Sequence, residues 1–269
     1  GLYRYGRAIE ILLAAHKGKH LEEAGQSQLV TYLQAQNRYA ESIPLLQPLV
    51  ASQPNNLTYR VWLMSAYFHT GRQAELLALL KQTDTFFHDK DRWRDDAIAA
   101  LGASCLDNKL YTQSVAYYNE LIPLHQRTQP RRGIGNGILS GYYSQLARAF
   151  AGLGKTADAV DAAGGAIVSW GPTHQGRTQA LESLKQVLHA APDLDGYVAA
   201  RDNQIATTGL DSAIIRKALG QVYLAKGATA KAILQLQLAI SLQPNDLETH
   251  RLLIDCLDKQ GDKEKAILA

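Results

Sequence analysis

The sequence predicts an all-α protein made of repeated helical hairpins, and three observations lead to this class. Apolar residues recur every three or four positions along almost the whole chain of 269 residues, a spacing typical of one face of an α-helix. Alternating apolar and polar runs, which would indicate strands, are missing from the sequence. The sequence also repeats itself at an offset of 34 residues, which leaves room for two short helices and a turn.

The repeat is clearest towards the two ends of the chain, where sets of four positions agree with residues 34 positions later. The matched residues of the N-terminal stretch are Leu29, Leu33, Asn37 and Leu46, followed by Leu63, Tyr67, Gly71 and Leu80. Those of the C-terminal stretch are Leu219, Tyr223, Gly227 and Ala232, followed by Leu253, Leu257, Gly261 and Ala266. Agreement at four positions indicates that each unit of the repeat is one helical hairpin.

A turn is predicted in the middle of each unit, between two helices of about 13 residues. The residues expected at this turn are Asn37, Gly71, Gly154, Gly227 and Gly261. Glycine and asparagine tolerate the left-handed backbone conformation that commonly ends a helix. Pro54 and Pro244 precede polar pairs that we expect to close one unit and to cap the first helix of the next.

Residues 211–245 carry the most complete version of the pattern. Its members are Leu219, Gly220, Tyr223, Gly227, Ala232, Leu236, Ala239 and Pro244. This pattern resembles the tetratricopeptide repeat. The one clear departure is Arg216, at a position where that family usually has an aromatic residue. The resemblance extends less completely over residues 59–80, 101–118 and 146–159, and it implies a right-handed α-solenoid of about seven such hairpins.

The resemblance predicts one superhelical domain over residues 1–269. We also expect the sequence to be a fragment of a longer protein, because it begins without methionine and both ends fall within a repeat.

The spacing between matching leucines rises to 38 and then to 45 residues in the middle of the chain. We therefore expect inserted residues, as loops between hairpins, within 81–94 and 127–137. Over residues 174–207 the family pattern nearly fails, although two helices separated by Ala191-Pro192 still fit, so we predict a degenerate repeat there.

Composition gives little indication of a special partner or compartment. The chain has 28 basic and 25 acidic side chains, a formal charge of +3, and no block of like charge, so nucleic acid is not an expected partner. No apolar run of about 18 residues predicts a membrane span. Cys105 and Cys256 are far apart within helical patterns, so we expect two buried thiols rather than a disulfide or a metal site.

Two short motifs have the outline of a functional site but lack its context. Residues 149–156 satisfy a permissive form of the nucleotide-binding P-loop, but a P-loop follows a strand and this segment follows a predicted helix. His16 and His20 are spaced for one helix face, but two ligands do not complete a zinc site. The sequence contains no recognisable nucleophile or carboxylate pair in a distinctive setting. We therefore predict no catalytic residue, no metal and no cofactor.

The best polar candidate is a loop that is rich in arginine and glycine. Arg127, Arg131 and Arg132 precede a helix that we expect to begin near Ile138. Guanidinium groups and the amides of a helix N-terminus both favour phosphate or carboxylate, so the loop is a candidate anion-binding site. The alternative, a charged loop in solvent, is the default interpretation of such a composition.

The resemblance implies that the first helix of each hairpin lines a concave groove. The expected groove residues include Trp62, Ser65, Phe68, His69, Ala99, Ala103, Ser144, Arg148, Gln179, Ser183, Lys217 and Gln221. Trp62 and Phe68 beside Ala99 and Ala103 predict an apolar pocket for a bulky side chain of a partner. The alternative is that these aromatic residues pack between neighbouring hairpins.

One subgroup of the family binds the C-terminal carboxylate of chaperones through lysine, arginine and asparagine side chains on successive first helices. Lys217 lies at a position like that of one such lysine, but Gln221 replaces the expected asparagine. Glu248 and Leu252 in the next hairpin would not complete the set of cations. Binding of chaperone tails is therefore not expected.

The sequence thus predicts an interaction scaffold that binds a peptide or a partner helix in its groove, without catalysis. One alternative is a regulatory or docking arm of a larger enzyme or transcription regulator whose active domain lies elsewhere. Another alternative is a structural spacer. The identity of the protein partner and the oligomeric state stay open at this point.

Overall fold

The computed structural model describes residues 2–89, 93–128, 137–170 and 175–261, and within these ranges the chain forms fourteen α-helices and no strand. The predicted class, an all-α solenoid of helical hairpins, is confirmed. The first seven helices are α1 (Leu2–Lys17), α2 (Glu23–Ala35), α3 (Tyr39–Ser52), α4 (Leu57–His69), α5 (Gln73–Asp89), α6 (Asp95–Asp107) and α7 (Tyr111–Thr128). The next seven are α8 (Gly137–Gly152), α9 (Thr156–Ser169), α10 (Gly176–Ala190), α11 (Leu194–Thr208), α12 (Ala213–Ala225), α13 (Thr229–Leu242) and α14 (Leu247–Gln260).

The chain divides into two compact units, Gly1–Tyr117 and Tyr118–Ala269, with the boundary inside α7. The prediction of one domain over residues 1–269 stays a prediction.

In the first unit, each helix buries its apolar face against its neighbours in the chain. Helix α3 packs against α2 and α4, and α4 in turn packs against α5 and α6. The buried leucines at the centre of these contacts are Leu29, Leu33, Leu46, Leu63, Leu76 and Leu101. Because a single hairpin cannot cover both sides of its first helix, the next hairpin supplies the missing contact.

The second unit follows the same arrangement. Helix α8 packs against α9, and α12 packs against α13, while α10 contacts α8, α9 and α12. Helix α14 contacts both helices of the hairpin before it, α12 and α13. The core leucines of the first helices here are Leu146, Leu184, Leu219 and Leu253. In this unit too, the first helix of one hairpin contacts the first helix of the next hairpin.

The hairpin turn comes eight residues after a buried leucine of the first helix. The leucines are Leu29, Leu63, Leu101, Leu146, Leu219 and Leu253, and the corresponding turn residues are Asn37, Gly71, Lys109, Gly154, Gly227 and Gly261. All six turn residues have a positive φ, between 57° and 85°. The five turns that the sequence predicts are confirmed, whereas Lys109 was not predicted because lysine is not typical of this conformation.

The same pair of hydrogen bonds closes five of these turns, those at Asn37, Gly71, Lys109, Gly154 and Gly227. The amide after the turn donates to a carbonyl five residues earlier, as from Arg72 to Tyr67 at 2.8 Å and from Ala228 to Tyr223 at 2.9 Å. The amide of the turn residue donates to a carbonyl three residues earlier, as from Gly71 to Phe68 at 3.1 Å. This pattern satisfies carbonyls that the end of a helix leaves without a partner.

The predicted loop at residues 81–94 is wrong for most of its length, because α5 continues to Asp89. Helix α5 has 17 residues, whereas α3 has 14, so most of the surplus extends the helix. Thr83 and Phe87 are buried and continue the apolar stripe of α5 at helical spacing. Of the second predicted loop, residues 127 and 128 end α7, residue 137 begins α8, and the rest lies outside the described residues.

The degenerate repeat at residues 174–207 contains the two predicted helices, α10 and α11, with the break at Ala191-Pro192. Helix α11 buries only Leu194 and Val198. Polar contacts supplement this small apolar contribution: Asp195 accepts hydrogen bonds from Tyr223 Oη at 2.7 Å and from Lys231 Nζ at 2.6 Å. The weak family pattern thus corresponds to a helix with a reduced apolar face.

Arg216, the clear departure from the family pattern, is also part of this polar region. Its side chain is only 3% exposed, and it donates to Asp211 Oδ2 at 2.7 Å, Asp202 Oδ1 at 2.6 Å and Gln235 Oε1 at 2.9 Å. A buried guanidinium is tolerated when carboxylates compensate its charge and its donors are satisfied. Arg216 therefore joins α12 to α11 and α13 through hydrogen bonds.

Replacing Lys109 by glycine should stabilise the protein. At φ 58°, a side chain strains the backbone and glycine does not, so Lys109→Gly should raise the free energy of unfolding by about 0.5 kcal/mol. The matched control is Gly154→Ala, since Gly154 has φ 71° and open space for a Cβ; it should lower the free energy of unfolding by about 1 kcal/mol. Denaturant unfolding measures both, and a less stable Lys109→Gly variant would contradict the assigned turn.

Candidate functional site

The first helices α10, α12 and the N-terminus of α14 enclose a groove of about 560 Å³ in the second unit. Helix α12 contributes Ile214, Lys217, Ala218 and Gln221 to its wall. The opposite face of α12 is buried, so the helix is amphipathic with its groove residues spaced by three and four positions. Of the residues that we expected in a groove, Lys217 and Gln221 lie in this one.

Lys217 is held by two carboxylates of the next hairpin. Its Nζ lies 3.0 Å from Asp246 Oδ2 and 2.7 Å from Glu248 Oε2, and its side chain is 18% exposed. Its charge is therefore compensated within the chain. The carboxylate of Glu248 is thus bound to Lys217.

Asp246 is also the N-cap of α14. Its Oδ1 accepts hydrogen bonds from the backbone amides of Glu248 at 3.1 Å and Thr249 at 3.4 Å, and its Oδ2 accepts one from Thr249 Oγ1 at 2.7 Å. Burial alone would raise the pKa of Asp246, but the hydrogen bonds from Thr249 and Lys217 outweigh burial and hold that pKa below its ordinary value. Asp246 thus stabilises the start of α14 and ties it to α12.

Helix α10 forms the opposite wall through Arg177, Leu181, Glu182 and Lys185. Lys185 and Glu182 form an ion pair within the helix. Arg177 is half-buried, and its side chain forms no hydrogen bond or ion pair with another described residue. The groove therefore combines an apolar floor with charges of both signs, and Arg177 is the cation in its wall that the described residues leave without a counter-ion.

Other predicted groove residues of the second unit lie elsewhere. Ser144 and Arg148 are on α8, where Ser144 Oγ donates to the carbonyl of Ser140 at 2.9 Å and Arg148 donates to Gln145 at 2.7 Å. Gln179 and Ser183 are on α10, outside the groove. A partner-binding role for these four residues stays a prediction.

In the first unit, the predicted apolar residues pack against the core. Trp62 and Phe68 are half-buried against the core cluster, and the Trp62 carbonyl accepts a hydrogen bond from Gln34 Nε2 at 2.9 Å. His69 is exposed and stacks on Tyr39, with ring centroids 4.0 Å apart. Ser65, Ala99 and Ala103 are half-buried. A pocket for a partner's side chain at Trp62 and Phe68 stays a prediction.

The polar motifs of the sequence are not assembled into a site by the described residues. Arg127 is exposed at the end of α7, and Arg131 and Arg132 lie outside the described residues. His16 lies in the last turn of α1 and His20 is exposed. No cluster of three or more potential metal ligands occurs in the described part of the chain.

Three other expectations are resolved by the local structure. The P-loop-like segment ends one helix, turns at Gly154 and begins α9 at Thr156, so a helix and not a strand precedes its turn. Cys105 and Cys256 are both buried and free, as predicted, and burial raises the pKa of the Cys105 thiol to about 12. Among the fourteen described helices, none has the length and apolarity that a membrane crossing requires.

The two roles of Asp246 should separate in a pair of variants. Asp246→Asn keeps a capping residue and removes the charge next to Lys217, so it should cost about 0.5 kcal/mol of stability. Asp246→Ala removes both the capping side chain and the charge, so it should lower the free energy of unfolding by about 1 to 2 kcal/mol. Chemical denaturation at pH 7 measures both values, and equal losses would contradict the capping role.

The contribution of the Asp246 charge should depend on pH. Because the pKa of Asp246 is lower in the folded protein, its charge stabilises the fold above the ordinary value of 3.8. That stabilisation is lost as the pH falls through the folded-state pKa. The stability difference between the wild type and Asp246→Asn should therefore disappear on acidification, and a difference that grows at low pH would contradict the assignment.

Part of the chain is similar in sequence to a known repeat, and solved structures of low sequence identity are similar to it. The sequence profile of the tetratricopeptide repeat matches residues 27–83, and no curated protein matches the chain. A tetratricopeptide repeat protein from Parabacteroides merdae is 14% identical, with 94% of this chain and 92% of that chain covered and a TM-score of 0.48. A putative kinesin light chain of Podosopora anserina with TPR-like repeats is 19% identical, with 69% and 96% covered and a TM-score of 0.48. The sequence similarity to the tetratricopeptide repeat thus covers residues 27–83, and the left-handed turn recurs both inside and outside that range.

Proposed function

We propose that the chain is an interaction scaffold without catalytic activity, and that its second unit binds a protein segment in the groove of α10, α12 and α14. Tetratricopeptide repeats generally mediate protein–protein interactions, which is the starting point for this proposal. The observation that carries it is the groove itself, since successive first helices expose on one surface side chains that the core does not use.

The chemistry of the groove favours a segment with an acidic and an apolar side chain. Arg177 has no counter-ion among the described residues, so a carboxylate of the partner would form a charge-assisted contact there. Leu181 and Ile214 are half-buried in the groove wall and offer apolar contact area. Lys217 contributes less, because two carboxylates already compensate it.

The alternative is that this surface docks another part of the same polypeptide, as in the regulatory arm of an enzyme or transcription regulator. The groove chemistry is the same in both cases. The scaffold and the docking arm differ in whether the groove is occupied by a separate chain or by the same polypeptide. Cross-linking distinguishes these two cases.

A photo-reactive residue at Gln221 should cross-link to the partner in the cells that produce the protein. Gln221 lines the groove, whereas Gln237 is exposed on the second helix α13 and serves as the control position. The proposal predicts a defined protein attached at Gln221 and not at Gln237. A cross-link within the same polypeptide supports the docking arm, and equal labelling from both positions contradicts the groove.

A matched pair of arginine substitutions should then test the contact. Ile214→Arg places a long cation in the groove and should weaken the cross-link at least tenfold, because it fills the volume that the partner needs. Leu234→Arg makes the same change on α13, where Leu234 is 54% exposed, and should leave the cross-link intact. Circular dichroism verifies folding, and a folded Ile214→Arg variant that cross-links normally would contradict the proposal.

A further inference from the structure

A second groove lies in the first unit, on a surface formed by the second helices α3 and α5 together with α4. Its volume is about 660 Å³. Val50, Leu79 and Phe86 supply apolar and aromatic walls, and Gln47 and Gln82, both exposed, lie at its edge. This surface does not involve the groove of the proposed function, which belongs to the other unit.

Arg60 lines this second groove and is buried, with 3% of its surface exposed. Its Nε donates to the carbonyl of Pro54 at 3.0 Å, and its Nη1 donates to Thr83 Oγ1 at 3.2 Å. The guanidinium carbon lies 4.9 Å from the centroid of the Phe86 ring. All three contacts are to neutral groups, so the described residues give the positive charge no counter-ion.

The acidic residue that lines this groove already has a partner. Glu75 lines the groove, but its carboxylate forms an ion pair with Arg72, with Arg72 Nη2 and Glu75 Oε1 2.7 Å apart. Burial lowers the pKa of Arg60, as expected for a cation removed from water without a compensating carboxylate. A buried charge of this kind is unfavourable until an anion reaches it.

The repeat supplies an internal comparison, because Arg60 and Arg216 occupy the same position. Each lies three residues before the buried leucine of its first helix, Leu63 or Leu219, and each is 3% exposed. Arg216 is paired with two carboxylates of its own unit. The residue that corresponds to Asp211, five positions before the arginine, is the neutral Asn55 in the repeat of Arg60. The same buried cation is thus neutralised in one repeat and left without an acid in the other.

Part of the Arg60 guanidinium is available to a ligand in the groove. A guanidinium has five N–H donors, and the described residues accept from two of them. Its Nη2 has no acceptor among these residues, and it is not one of the fully enclosed atoms without a partner. A carboxylate is the group that matches the remaining donors in charge and in planar geometry.

We propose that this groove binds an acidic segment of a protein partner, with a glutamate or aspartate side chain paired to Arg60. A flanking apolar side chain of that segment packs against Val50, Leu79 and Phe86. The amide of Gln82 at the edge and the remaining donor and acceptor capacity of the Gln47 amide, whose Nε2 also donates to Tyr67 Oη at 3.2 Å, are suited to hydrogen bonds with a peptide backbone. These amides favour a peptide over a small carboxylate, which has no backbone to bind.

The first test uses capped five-residue peptides with a central glutamate between phenylalanine and leucine, and the same peptides with glutamine. Chemical-shift mapping on the unaltered protein should show binding at the methyl groups of Val50 and Leu79, with the glutamate peptides at least tenfold tighter. Equal affinity for the glutamine peptides, or shifts confined to other surfaces, would overturn the proposal. Binding of phenylacetate without binding of the peptides would overturn the protein partner as the occupant.

The second test uses variants that separate charge from shape. Arg60→Met keeps most of the side-chain volume and should abolish binding of the glutamate peptides. Arg38→Met removes an exposed arginine of the same unit, one that is paired with Glu41, and should leave binding unchanged. Loss of binding in both variants, or in neither, contradicts the role of Arg60.

Thermal unfolding provides a readout that does not depend on the peptides. Arg60→Met removes a charge that has no counter-ion, so the melting temperature should stay the same or rise. Arg216→Met removes the cation paired with Asp202 and the closer of the two cations paired with Asp211, so it should lower the melting temperature. If the melting temperature fell as much in Arg60→Met as in Arg216→Met, the charge of Arg60 would be compensated within the chain. That result would overturn the proposal.

Discussion

The structure depends on the burial of one leucine in the first helix of each hairpin, eight residues before the turn. A hairpin covers only one side of that helix, so contacts with neighbouring hairpins complete the removal of the leucine from water. The positive φ at the turn fixes where the second helix begins and thereby which of its residues meet the leucine. Where this contact is complete, the rest of the first helix can vary, and its exposed side chains are free to bind a partner.

At the position three residues before that leucine, an arginine in place of an aromatic residue has different consequences in two repeats. Aromatic side chains are usual at this position of the tetratricopeptide repeat, and this chain has arginine there in two repeats. Arg216 is neutralised by Asp202 and Asp211 and holds helices together, so its charge serves the fold. Arg60 has only neutral partners beside an open groove. The surroundings of the charge, and not the residue type, decide whether it supports the structure or can receive a ligand.

The sequence predicted the class and five turns because glycine and asparagine mark a left-handed conformation directly. It did not predict Lys109, although its distance from Leu101 is the same as in the other hairpins. The extension of α5 could also have been read from Thr83 and Phe87, which continue the apolar stripe. The partners of Arg216 and Arg60 could not be predicted, because they come from other helices and depend on the packing.

Native-state hydrogen exchange tests most directly the claim that each helix is stabilised by burial against its neighbours. The account predicts the slowest exchange at amides in α4 and α12, around Leu63 and Leu219, which neighbouring helices cover on more than one side. The second half of α11, after Val198, is mostly exposed, so its amides should exchange faster by about a hundredfold or more. Protection from exchange in the second half of α11 equal to that in α12 would contradict the account. Helix propensity and polar contacts would then be enough to stabilise a helix without burial.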